Sequence, residues 1–202
     1  MARQGEGRAL AVDNSCRTPS WNDILETGHA IQTDREAVLG RLAERFRAGT
    51  PPAELDGATE GALVGFVIHP AFDRAVAALS SRWLPWPGKR FDAAASGGDN
   101  LLLRSARRPS KLLWPSYRMG DAGDRLAAFD FRTRVERGAL DPETDVLVID
   151  YEPVESNPRL VIRQIRDELV EVAPGTHLGK MLWRRRDGLH SLLAYFALRE
   201  AG

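Results

Sequence analysis

The run "AAFDFRTRVERG", residues 127–138, constrains the fold more than any other part of the chain. Phe129, Phe131, Thr133 and Val135 fall on one side of an extended backbone, and Asp130, Arg132, Arg134 and Glu136 on the other. A period of two marks a strand that buries one face and wets the other. Such a strand needs neighbours, and the C-terminal half supplies them. "TDVLVIDYEP" (144–153) reads as a strand with both faces apolar. "HLGKMLWRR" (177–185) and "LHSLLAYFALRE" (189–200) flank Arg186-Asp187-Gly188, where Asp-Gly signals a hairpin. Between residues 89 and 106, two short strands are expected around a Ser-Gly-Gly-Asp-Asn turn. "KLLWPSY" (111–117) reads as a strand bent by Pro115. In residues 164–173, Ile165, Leu169 and Val172 fit a helix and the β-branched content fits a strand, with a short helix to about residue 164 and then a strand as the favoured reading.

The N-terminal third has the helical period instead. Ser20 is placed to cap a short helix carrying Trp21, Ile24 and Leu25 inward. Thr33 with Glu36 resembles a capping box ahead of Val38, Leu39, Leu42 and Phe46, and Gly49 to Pro52 stop that helix. "GALVGFVIHP" (61–70) is a strand, and the apolar spacing after Pro70 predicts a helix running to Trp83. Residues 1–19 are polar and predict a flexible leader, leaving residues 20–202 as a single domain. Helices first, then seven or eight short strands with hairpin turns, predict a mainly β (α+β) protein whose antiparallel sheet curls into a barrel.

Composition narrows the function. Lys and Arg number 28 against 28 Asp and Glu, so no net field attracts nucleic acid or an anionic membrane. The basic residues are arginine except Lys89, Lys111 and Lys180, and with the many alanines this reads as genome bias, so arginine count is discounted. Cys16 is the single cysteine, which rules out an intrachain disulfide and a cysteine-built zinc site. His29, His69, His177 and His190 are scattered without metal-ligand spacing, so neither metal nor cofactor is expected. No apolar run reaches the roughly 18 residues of a membrane span and the leader lacks a signal-peptide core. A cytoplasmic protein with no membrane or nucleic-acid partner is the expectation, with a homodimer compatible with it.

Gly61-Ala62-Leu63-Val64-Gly65 keeps the two-glycine spacing of the bacterial GXWXG-type lipocalin-like proteins, with Leu63 where their motif has tryptophan. Trp86-Pro87-Gly88-Lys89-Arg90-Phe91 is similar to their Trp-x-Gly-Lys-x-Phe stretch. The resemblance covers about residues 55–95 by motif and implies a lipocalin-like barrel around a central cavity, preceded by N-terminal helices and with a helix after the first strand. It carries no reaction with it.

Two functions compete at this level. The first is a carrier of a small apolar or aromatic molecule, walled by Phe66, Trp114, Phe129, Phe131, Tyr151, Met181, Trp183 and Phe196. The second is an isomerase or cyclase of secondary metabolism acting on a polyunsaturated or polyketide-like substrate, with Tyr117, Asp150 and His177 as acid–base groups. Tyr117 precedes Arg118 in a pair able to polarise a carbonyl. Alternation forces one of Asp150 and Tyr151 inward, the other reading of Asp150 being a strand-mouth carboxylate paired with an arginine. On a strand, His177, Gly179, Met181 and Trp183 line the interior, leaving Lys180, Arg184 and Arg186 to solvent. Asp167 and Glu168 are adjacent, face opposite ways, and are expected to pair with Arg163 or Arg166. His69 is either a rim base or metal ligand or an ordinary junction residue, and a lone inward histidine would suffice for haem, a third reading.

Overall fold

The computed structural model describes residues 20–67 and 86–201. Helices α1 (Trp21–His29) and α2 (Arg35–Ala48) precede the sheet, and α3 (Arg107–Leu113) interrupts it. The strands are β1 (Gly57–Phe66), β2 (Gly88–Asp92), β3 (Gly97–Leu103), β4 (Gly120–Ala122), β5 (Arg125–Arg137), β6 (Asp145–Asp150), β7 (Ile165–Ala173), β8 (Thr176–Arg184) and β9 (His190–Glu200). All pairs are antiparallel, in the order β3-β2-β1-β9-β8-β7-β6-β5-β4, and β3 also pairs with β5. That last pairing closes eight strands into a barrel, with β4 beside the first turn of β5. The mainly β barrel expected from strand alternation is therefore present. The leader, the helix expected after Pro70 and His69 lie outside the described residues.

The barrel has two apolar cores because several strands are apolar on both faces. Val146, Val148, Val170, Leu178, Tyr195 and Ala197 point outward and meet Ile24, Val38, Leu42 and Phe46 of α1 and α2. The alternate positions Ile149, Leu169, Phe196 and Leu198 point inward with Phe91, Leu102, Leu126 and Phe131. This explains why "DVLVID" carries no polar face. Ser20 and Asp23 form the capping box of α1, whereas α2 is capped by Asp34 one residue later than expected, its carboxylate accepting from Ala37 N–H at 3.3 Å.

Four local expectations are corrected. The strand expected at residues 111–117 is absent: residues 107–113 are helical, with Pro109 in the first turn where its missing N–H costs nothing, and 114–117 form a loop. The β2–β3 turn is Ala93–Ser96, and Gly97 to Asn100 already belong to β3. A Cβ on Gly98 would lie 2.1 Å from the Arg90 carbonyl, so this close strand crossing requires glycine. Phe129 breaks the alternation of β5, taking φ 54° opposite a register slip between Gly98 and Asn100. Lys180 is not in solvent: it is 3% exposed beneath α2, in contact with Asp141 and 4.2 Å from the Phe46 ring centroid. The ambiguous segment resolves into a 3₁₀ turn (Ile162–Gln164) followed by β7.

Candidate functional site

The inward positions of β2, β3, β7 and the residue just past β6 bring four polar side chains together inside the barrel. On β2, Lys89 and Phe91 alternate with exposed Arg90 and Asp92, so the lysine is turned inward with the phenylalanine. Lys89 Nζ donates to Asn100 Oδ1 at 2.9 Å, to Asp167 Oδ2 at 2.9 Å and to the Tyr151 hydroxyl at 2.5 Å. Tyr151 OH in turn donates to Asp167 Oδ2 at 3.0 Å. Asn100 Nδ2 donates to Tyr151 OH and to the Phe129 carbonyl, both at 3.1 Å. Lys89 is 2% exposed and Asp167 1%.

Four aromatic rings, that of Tyr151 among them, surround the Lys89 ammonium. Lys89 Nζ lies 5.2–5.5 Å from the centroids of Trp86, Phe131, Tyr151 and Phe196, within cation–π range. Removal from water disfavours the ammonium, and this outweighs the pull of Asp167, so the Lys89 pKa is lowered. Burial, reinforced by the Asp167 charge, holds the Tyr151 phenol well above its ordinary value. Two atoms of the shell remain without a hydrogen-bond partner although buried: Asp167 Oδ1, an acceptor, and Trp86 Nε1, a donor.

One approach to this interior is marked by exposure. Leu63 pairs with Phe196 and so faces inward, yet it is 38% exposed. Phe66, Met181, Trp183 and Ile165, inward by the register of β1, β7 and β8, are all half-buried near the same end. Solvent therefore reaches the inner wall there.

The wall residues Phe131, Tyr151, Met181, Trp183, Phe66 and Phe196 thus share the interior face. Trp114 and Phe129 sit at one end of it, in a T-shaped contact of 5.4 Å. The three acid–base candidates are not brought together. Tyr117 stacks on Phe129 at 5.2 Å, and burial lifts its pKa to about 12. Its hydroxyl accepts from the Phe129 N–H at 2.5 Å, while Asn100 binds the Phe129 carbonyl, so the left-handed residue is held from both sides. Tyr117→Phe strands that N–H and is expected to lower stability by about 1–3 kcal/mol in urea denaturation.

Asp150 faces away from the interior, because β6 turns Leu147, Ile149 and then Tyr151 inward. Its carboxylate accepts from Arg134 at 2.9 Å and lies 3.6 Å from Arg184, the arginine-paired alternative. Glu168 is bound to Arg166 at 2.9 Å as expected, but Asp167 is not paired with an arginine: it holds Lys89.

His177 does face inward, four residues along β8 from Met181, toward the end where β9 finishes. It is 1% exposed, neither ring nitrogen is hydrogen-bonded, and Nε2 is 3.7 Å from Glu200 Oε1. Burial lowers its pKa despite the charges of Glu171 and Glu200. A histidine neutral when folded but free to charge when unfolded contributes full stability above the ordinary value of about 6.5, and loses it as the pH falls toward the lowered one. His177→Leu should therefore flatten the decline in urea midpoint between about pH 7 and 5. An unchanged slope would refute this.

A separate open groove of about 860 Å³ crosses the outer wall over β2, β3 and β5, lined by Arg90, Asp99, Tyr117, Arg118, Asp130 and Arg132 among others. Its charged lining does not suit an apolar molecule. Among the described residues no cluster of three His, Cys, Asp or Glu side chains is placed to hold a metal, and no helix is long and apolar enough to cross a membrane.

Lys89, Asn100 and Asp167 were absent from the candidates read from the sequence. Strict alternation over residues 88–92 would have placed Lys89 with Phe91. A second signal was its being one of only three lysines in an arginine-rich chain. No family model, no curated protein and no solved structure matches this chain.

Proposed function

We propose that the barrel binds a small, largely apolar or aromatic molecule, and that the network of Lys89, Asn100, Tyr151 and Asp167 reads its single polar group. The observation that carries this reading is that two residues around Lys89, Asp167 and Trp86, each keep one buried polar atom unpartnered. Unpaired polar atoms in an apolar interior cost about 1–3 kcal/mol each. A hydroxyl or carboxyl group can donate to Asp167 Oδ1 or accept from Trp86 Nε1, while Phe131, Phe196 and Met181 take the apolar part. Entry past Leu63 agrees with the cavity implied by the resemblance at Gly61–Gly65.

The test is quenching of tryptophan fluorescence by a panel of aromatic alcohols and acids. Saturable binding is expected, weakened about tenfold or more by Leu63→Trp, which places a larger side chain in the approach, since that factor is only about 1.4 kcal/mol. If no member of the panel binds, or if Leu63→Trp leaves affinity unchanged, the reading fails.

A second reading, an isomerase or cyclase working by acid–base steps, is favoured by one contact: the 2.5 Å approach of the Lys89 ammonium to the Tyr151 phenol. Burial makes the lysine readier to release a proton and the tyrosine to keep one, an arrangement suited to donating hydrogen bonds to a substrate oxygen.

A further inference from the structure

We infer that Lys89 is a covalent attachment point for an aldehyde or ketone, which it captures as a protonated imine inside the barrel. This deepens the binding reading above and rests on it.

The choice of residue is the first ground. Of the basic side chains, three are lysines, and two of them, Lys89 and Lys180, are buried. A guanidinium stays charged in any protein environment, whereas an ammonium can lose a proton and become a nucleophile. The two buried lysines are differently placed. Lys180 lies outside the barrel, sealed under α2 against Phe46, Tyr195 and Asp141. Lys89 lies inside, among the rings of Trp86, Phe131, Tyr151 and Phe196, and Phe196 is the strand partner of the partly exposed Leu63.

The surroundings supply each part of the reaction. Lys89 transfers one proton to Asp167, 2.9 Å away, leaving a neutral amine and a carboxylic acid. The Nζ lone pair forms a bond to the carbonyl carbon, and the C=O π pair moves to oxygen, which takes up the second nitrogen proton through the Tyr151 hydroxyl. The carbinolamine then breaks its C–O bond as Asp167 returns its proton to the departing oxygen, releasing water. One ammonium and one carbonyl become one iminium and one water. The product again carries a single positive charge on Nζ, so Asp167 and the four ring faces that balance the ammonium balance the iminium equally. Asp167 Oδ1, unpartnered in the resting state, is available to the carbinolamine hydroxyl.

The experiment treats the full chain with cinnamaldehyde and cyanoborohydride, which traps iminium as a secondary amine, and maps the adduct by peptide mass spectrometry. One adduct per chain, on Lys89, is expected, with loss of the adduct in Lys89→Arg. Adduct confined to exposed Lys111 or the terminal amine, or no adduct, overturns the inference. Mapping on the unaltered chain decides the matter even if the variant fails to fold. Cinnamyl alcohol, which keeps the shape but lacks the carbonyl, separates the two readings. If it binds and the aldehyde leaves no Lys89 adduct, the imine is wrong and binding stands. If neither alcohol nor aldehyde binds, the binding reading fails with it.

Discussion

Replacing Asp167 with alanine is expected to cost about 3–5 kcal/mol, because it leaves the Lys89 ammonium buried among aromatic rings without its carboxylate. The pair itself contributes less than that figure suggests, since both charges were taken out of water to form it. Replacing both partners with apolar residues of similar size, Lys89→Met with Asp167→Leu, should therefore return the urea midpoint to near or above its original value, a difference of about 1–4 kcal/mol in favour of the apolar pair being common. An Asp167→Ala cost below about 1 kcal/mol would show that the lysine finds another partner or sheds its proton without penalty. The two outcomes together separate stability from function. A polar network that can be replaced without loss of stability has to be accounted for by what it binds.

The second large effect is expected at Phe196. Its ring lies T-shaped to Trp86 at 5.7 Å and 5.5 Å from Lys89 Nζ, and it fills the space that a side chain on Gly179 would occupy. A Cβ on Gly179 would come within 2.1 Å of the Phe196 ring. Phe196→Ala should lose about 3–5 kcal/mol through the cavity it leaves. Gly179→Ala should lose about 1–3 kcal/mol by pushing the ring aside. The double variant should lose less than the two added together, because the new methyl occupies part of the new cavity, a coupling on the order of 0.5–3 kcal/mol. Strict additivity in urea denaturation would mean that the two residues do not share one space.

The inner face of β8 was legible because alternation is a backbone property: His177, Gly179, Met181 and Trp183 must lie on one side of any strand drawn through them. Gly179 and Met181 made that side the crowded one, and Phe196 over Gly179 is the reason. What alternation could not supply was the medium on the other side. Lys180 was assigned to solvent because a barrel has an outside, and only packing shows that α2 covers it there. The same limit applies to residues 111–117. Pro115 suggested a bent strand, yet the segment folds as a helix and loop that seats Trp114 and Tyr117 on Phe129. Tertiary contact there overrides a weak local pattern.

Asp167 departs from its expected arginine pairing for a different reason. Its neighbours in sequence include Arg163 and Arg166, and local charge pairing is the simplest account of a carboxylate beside arginines. Lys89 is 78 positions away along the chain, and the pair arises only when β2 and β7 face each other across the barrel. Strand alternation could place each residue on an inner face, but it carried no information on which inner faces meet. Tyr151 was legible as the alternative to Asp150, and the apolar run before it favoured the phenol once both faces of β6 were seen to be buried.

The first and last strands, β1 and β9, are neighbours in the ring, with Thr59 opposite Glu200 and Gly61 opposite Leu198. In time this means that β1 has no β9 to pair with until all the strands between them have been made. The helices α1 and α2 wait as well, because the wall they cover includes residues of β6, β7, β8 and β9. Contacts of such long sequence separation place folding in the slow class, where loop closure precedes most of the reward. The elements made first here, α1, α2 and β1, thus depend on strands made last, and they spend the longest time unsheltered.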